Sequence, residues 1–322
     1  MMTIAFSSHH AEVLPFARRE MERHQVIVLE EPTSPNFSDM LEGRLPIDEY
    51  MLELDSGFPQ FEKRMCAMLR ELHRRGLQIL QVEPYLDKLL RIHERFAEGD
   101  RPEEVVKEPD LAAVYAAEKR ATGALLDYYV ASLKASFDQV VEAVKAFAAA
   151  DADRLKLREH LRAQAIKAMV LDDVDIYIEA GYIHFPLYLY LKRALGPDYR
   201  LRIAYLLAPI VHRLGGIRRN LGPGDVLSLH YALHGGAPKD VASLLAARSL
   251  IYIKLVQKDE LLPGVSEAPH SEDMVKVNAM VDDLSFDDCQ VVFDQVRLAK
   301  RERALEIVGA YQAGVQKGLK RA

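Results

Sequence analysis

The stretch VDIYIEAGYIH (174–184) decides the reading of the fold. Its first part, VDIYIEAG (174–181), is β-branched and apolar, as a buried strand is, and a helical pattern follows over 184–194. Three runs of the same kind come earlier, TIAFSS (3–8), QVIVLE (25–30) and LQILQVE (77–83), and YRLRIAYLL (199–207) comes after. About six apolar-rich residues is the length of a strand covered on both faces. Helical patterns separate the early runs. AEVLPFARREMERH (11–24) lies between the first two. Phe58, Phe61, Met65, Met68, Leu69 and Leu72 then recur three or four apart, and Gly76 stands where a helix C-cap glycine would. Strand and helix in alternation predict an α/β fold with a mostly parallel central sheet flanked by helices.

From Pro84 to Val170 the pattern is almost wholly helical, too long for one crossover helix. It predicts a helical insertion over 84–170 within one α/β domain spanning 1–322. A long Ala-rich helix over 109–150 is expected there, with a second opening at Asp151. Beyond the last strand, VLSLHYAL (226–233) suits either a strand or a helix start. Residues 242–261 read as a helix, 263–273 as a mobile loop, and 289–314 as one final amphipathic helix.

The composition narrows the function. The chain has 322 residues, 49% hydrophobic and 28% charged, with a net charge of -6, which argues against a general nucleic-acid or anionic-membrane binder. Two cysteines, Cys66 and Cys289, exclude a disulfide framework or a Cys-rich zinc module. No run approaches the roughly 18 apolar residues of a membrane span, and no signal peptide is evident, so a cytoplasmic protein is expected. GxSxG, GxxxxGK[ST] and GxGxxG motifs are missing, which lowers serine-hydrolase, P-loop and dinucleotide readings.

In open α/β sheets ligands collect beyond the carboxyl ends of the strands. His9 and His10 follow the first strand, Glu30 and Glu31 end the second, Glu83 the third, and Glu179 with His184 the fourth. Imidazoles and carboxylates together bind Mn, Co, Zn or Fe(II), and a bound metal can activate water for hydrolysis. Without a metal, clustered carboxylates raise one another's pKa and suit acid–base work. The plainer alternatives are satisfied polar residues and caps, as at Glu83 before Pro84. Strand alternation turns at most one of His9/His10 and one of Glu30/Glu31 to the crevice. Arg158 and Arg162 share a helix face, where they either clamp an anionic substrate or pair with acids such as Glu159 or Asp172. HYALH (230–234) spaces two histidines one helical turn apart but lacks the glutamate of HExxH.

These residues resemble the TraB/Tiki superfamily, which includes erythromycin-esterase-like and ChaN-like haem-binding proteins. Its pattern is GxxH after the first strand, a strand ending in Glu, and a second GxxH after a late strand. Here the late motif is Gly181 to His184, the glutamate is Glu30 or Glu31, and the first motif is SSHH (7–10), with Ser7 in the glycine position. The resemblance covers roughly 3–200. It implies a metal-dependent hydrolase of peptide or ester bonds: His10 or His9 with His184 on a divalent metal, Glu31 or Glu30 as ligand or base, and Arg158 or Arg162 orienting substrate. It equally admits a non-catalytic haem- or peptide-binding or regulatory protein, with Tyr177, Tyr182, Tyr188 and Tyr190 near the late motif. Helices apolar on more than one face point to a homo-oligomer.

Overall fold

The structure is a computed structural model that describes residues 1–54, 57–169, 174–197, 199–216 and 221–319. Five strands form, β1 (Met2–Ser7), β2 (Val26–Leu29), β3 (Gln78–Gln81), β4 (Ile176–Gly181) and β5 (Leu201–Tyr205). They lie in the order β3-β2-β4-β1-β5, and every pairing is parallel. All five predicted runs are strands of this one sheet. The central strands β1, β2 and β4 are buried nearly throughout, whereas β3 and β5 at the edges are partly open, so continuous apolar runs are confined to the middle. Register sets Ser7 beside Gly181, which places the two motif positions side by side on neighbouring strands.

The main helices are α1 (Leu14–Met21), α2 (Pro59–Arg74), α3 (Pro84–Ala97), α4 (Pro109–Lys134), α5 (Phe137–Ala168), α6 (Pro186–Leu195), α7 (Pro223–His234), α8 (Lys239–Leu255), α9 (Pro269–Asp282), α10 (Phe286–Val296) and α11 (Arg301–Leu319). Proline opens many of them because its absent N–H has no partner in a first helical turn. Gly76 takes a left-handed φ of 94° just after α2, and its N–H donates to the His73 carbonyl at 2.9 Å. No helix among the described residues is long and apolar enough to cross a membrane.

Three boundaries differ from the sequence reading. The long helical stretch breaks at Ala135–Ser136 rather than before Asp151, because the Gln139 side chain accepts from the Ser136 N–H at 3.0 Å. The C-terminal helix is two, α10 and α11, with Arg297 turning its guanidinium onto the Ser132 carbonyl between them. The expected loop at 263–273 already becomes helix at Pro269.

The chain divides into two compact units. The first holds 1–116, 155–210 and 259–270, and contains the sheet. Met2, Ile4, Phe6, Val26, Val28, Ile176 and Ile178 form its core with Ala163 and Ile166 of α5 and Leu187 and Leu191 of α6. Thr3 and Tyr177 point to the opposite sheet face, where Thr3 Oγ1 lies 2.9 Å from His24 Nε2. The second holds 117–154, 211–258 and 271–322 and is built of helices. Its core gathers Val144, Leu227, Leu250, Ile251, Val292, Phe293 and Val308. The 84–170 stretch is divided between them: α4 starts in the first and ends in the second, and α5 returns to the first.

Candidate active site

Both groups of candidate residues lie in the first unit, where β2 and β4 run side by side and end together. The inner group is buried. The Glu30 carboxylate accepts from the Gly181 N–H at 2.7 Å and from His184 Nε2 at 2.7 Å. Arg158 Nη2 donates to Glu30 at 2.8 Å and to Glu83 at 3.0 Å. His184 Nδ1 donates to Glu159. Arg162, fully buried, donates to the carbonyls of Val82 at 3.0 Å and Glu179 at 2.8 Å, tying the end of β4 to the exit of β3. Glycine at 181 leaves room for the His184 ring, because the turn Tyr182–His184 folds the imidazole back over it: a Cβ there would sit 3.2 Å from His184 Cδ2.

The electrostatics of this group follow from its pairing. Burial alone would depress the His184 imidazole, but Glu30 and Glu159 outweigh it and push it up to about 9. Burial would raise the Glu30 carboxyl, but His184, Arg158 and Arg162 hold it well below the usual range. Burial wins at Glu83, which is raised despite both arginines. At neutral pH His184 is therefore an imidazolium with both ring nitrogens spent on carboxylates. Glu83 Oε1, Glu159 Oε2, Arg158 Nε and Arg162 Nη1 are buried with no hydrogen-bond partner among the described residues.

The outer group comprises Glu31, Glu62, Glu179 and His9. Glu31 accepts from Gln81 Nε2 at 2.9 Å, and burial followed by the Glu179 charge pushes its carboxyl up to about 7. Glu179 is buried and raised by that burial, with His9 opposing, and its Oε2 accepts from the Glu30 N–H at 3.2 Å. Glu62, in the first turn of α2, is raised by burial and by Glu179, again with His9 opposing. His9 is exposed, with its ring stacked on Phe61 at 5.5 Å. Burial raises all three carboxyl groups, and the Glu179 charge adds to the rise at Glu31 and Glu62, with an imidazole among them.

The alternation at the strand tips thus splits the predicted pairs. Glu30 turns into the buried network and Glu31 into the outer group. His9 joins the carboxylates, while His10 turns away and stacks on His270 at 3.7 Å with Phe58 edge-on at 5.1 Å. Burial and the neighbouring imidazoles His270 and His9 push His10 down to about 3. His10 and His184, each three residues beyond a register-paired strand end (Ser7 and Gly181), therefore have opposite surroundings. Glu62 and Glu159 were not singled out by sequence. Glu159 was weighed only as an arginine partner, and only its place one residue after Arg158 on α5 signalled it. Asp172 lies outside the described residues. Tyr177 is buried beside His24, Tyr182 stacks on Tyr205, Tyr188 packs on Phe185 and Tyr190 on His160.

Among the described residues, no three His, Cys, Asp or Glu groups stand in a ready arrangement for a metal ion. In the inner group both Glu30 oxygens, one oxygen each of Glu83 and Glu159, and both His184 nitrogens are taken up by arginine, imidazole, carboxylate or backbone N–H partners. The outer group, His9, Glu31 and Glu179 beside Glu62, gathers imidazole and carboxylate groups whose charges a cation would balance.

Over 294 residues, 91% of this chain and 97% of the relative, the sequence is 35% identical to an uncharacterized protein of Archaeoglobus fulgidus. The chain belongs to the same family as that archaeal protein. The alignment covers enough of the chain to include residues of both units. No family model and no solved structure matches the chain.

Proposed function

We propose that the chain is a TraB/Tiki-like metal-dependent hydrolase of a peptide or ester bond, acting at the carboxyl ends of β1, β2 and β4. The observation that carries this reading is the outer group, in which Glu31, Glu62, Glu179 and His9 share a strand-end site above a charge-balanced inner layer. His9, Glu31 and Glu179 would hold the divalent cation, of the Mn, Co, Zn or Fe class. When bound, it supplies a water of lowered pKa.

The chain's own residues supply the rest. A carboxylate of the outer group takes a proton from the attacking water and returns it to the leaving group. Exposed His9, held by Phe61, borders the substrate side and donates hydrogen bonds there. The inner residues act by position. Glu30 fixes the Gly181 backbone, Arg162 fixes the carbonyl of Glu179, and Arg158 neutralises Glu30 and Glu83, so that the outer carboxylates stay in place.

The test combines metal analysis of protein purified without chelator with a screen of peptides and esters. Glu31→Gln, Glu179→Gln and His9→Ala are compared with wild type. Near-stoichiometric metal is expected, lost in Glu31→Gln and Glu179→Gln, with hydrolysis reduced about 100-fold or more. No metal uptake and no turnover in folded wild type would overturn the proposal. A Soret shift on haem addition would move the assignment to a binding protein.

A further inference from the structure

Helix α4 carries large apolar residues on two opposite faces. Ala117 and Ala121 are buried, and Tyr128 and Ala131 pack against the core of the second unit. Leu126, Tyr129, Val130 and Leu133 face outward and are 56%, 51%, 54% and 66% exposed. Their spacing of i, i+3, i+4 and i+7 makes a single stripe, the pattern of a helix seam that meets another helix. Burying these side chains inside the chain is already excluded, because the opposite face of the same helix does that. A contiguous apolar stripe of this kind marks an interaction surface.

The order of residues on the stripe selects the partner. An antiparallel two-fold centred between Tyr129 and Val130 sets Leu126 against the partner's Leu133, Tyr129 beside the partner's Tyr129 on one edge and Val130 beside the partner's Val130 on the other, so the seam matches itself. The charges beside it match under the same operation. Asp127 and Lys134 are exposed, lie on one edge of α4 about 20° apart, and form no ion pair among the described residues. A two-fold perpendicular to both helices keeps each edge against its own copy. Asp127 then faces the partner's Lys134 with an offset of about 3 Å along the axis, within reach of a lysine side chain, and the pair forms twice. A parallel arrangement would instead put the two copies of this edge on opposite sides of the seam, so that Asp127 and Lys134 would not meet across it. Tyr129 and Leu133 also line a cleft of about 310 Å³ with Ile253, Lys254, Lys258 and Arg297, so basic side chains border the apolar stripe on that side.

We infer that the chain forms an antiparallel, two-fold homodimer through the outward face of α4. The inference is independent of the proposed hydrolase site.

Sedimentation velocity on the full chain between 5 and 100 µM tests it. A dimer is expected for wild type. Val130→Asp should give a monomer with unchanged circular dichroism and melting, since Val130 is exposed. Asp127→Lys and Lys134→Glu should each weaken dimerisation about 5-fold, through like charges meeting twice across the seam. Combining the two restores opposite charges, and affinity should return to within about 2-fold of wild type. A wild-type monomer at 100 µM overturns the inference, including one that binds anionic vesicles or another protein through this face. So does a dimer indifferent to Val130→Asp, or a double variant that stays as weak as the singles.

Discussion

His184 is buried between Glu30 and Glu159, and its pKa of about 9 lies above the ordinary 6.5. The folded state therefore holds this proton more tightly than the unfolded chain does. The resulting stabilisation is full below about pH 6.5 and is lost as pH rises through 9. A shift of this size corresponds to about 3 kcal/mol. Urea unfolding at pH 6 and pH 10 should show a loss of that order in wild type, largely flattened in His184→Gln. Arg162 belongs to the same network, with no exposed surface and two backbone carbonyls as acceptors. Replacing it by Ala leaves those carbonyls and the nearby carboxylates without their cation. Unfolding should then cost about 3–5 kcal/mol less, as for other broken buried pairs. A loss below 1 kcal/mol in denaturant titration would show that the guanidinium is not holding the strand ends.

At the level of elements, the end of β4 shows how a strand tip becomes a site. Gly181 has an ordinary extended φ of -67°, so backbone strain is not why glycine stands there. Space is the reason, because the following turn brings the His184 ring to within 3.2 Å of where a Cβ would be. Ser7, its register partner on β1, carries a buried side chain, because the chain after Ser7 runs on before its short helix starts and carries His10 away. Gly181→Ala should leave the fold intact, with a stability loss of about 1 kcal/mol or less. It should displace the imidazole and lower the His184 pKa in an NMR titration. An unchanged titration would mean that the ring is not packed on Gly181. The inner and outer glutamates follow the same geometry: Glu30 and Glu31 are neighbours in sequence, and the tip of β2 sends one inward and the other outward.

Across the whole molecule, each compact unit has its own apolar core, a sheet-based one with Ile178 at its centre and a helical one with Ile251. Truncating either side chain leaves a cavity costing about 2–5 kcal/mol. Hydrogen exchange should locate the damage. Ile178→Ala should speed exchange in β1, β2 and β4, and Ile251→Ala in α8 and α10. Uniform acceleration of the whole chain by either variant would mean that the units do not open separately.

The five strands, their parallel sheet and the long helical middle were legible in the sequence because they rest on local periodicity and on glycine and proline at element ends. The Ser136–Gln139 cap was equally local and equally visible, yet the alanine-rich run around it reads as one helix. The inventory of strand-end residues was legible too, since each strand carries its own terminal Glu or His. Their sorting was not. Glu30 meets Gly181 across 151 positions and Arg158 across 128, contacts that exist only because β2 and β4 are neighbours in the sheet. Strand order and long-range charge pairing come from the packed molecule as a whole. The sequence by itself therefore determined which groups reach the sheet edge. Only the tertiary structure decided that His184 is a buried cation between two carboxylates, that His10 turns away, and that Glu31, Glu62, Glu179 and His9 fall in a separate group.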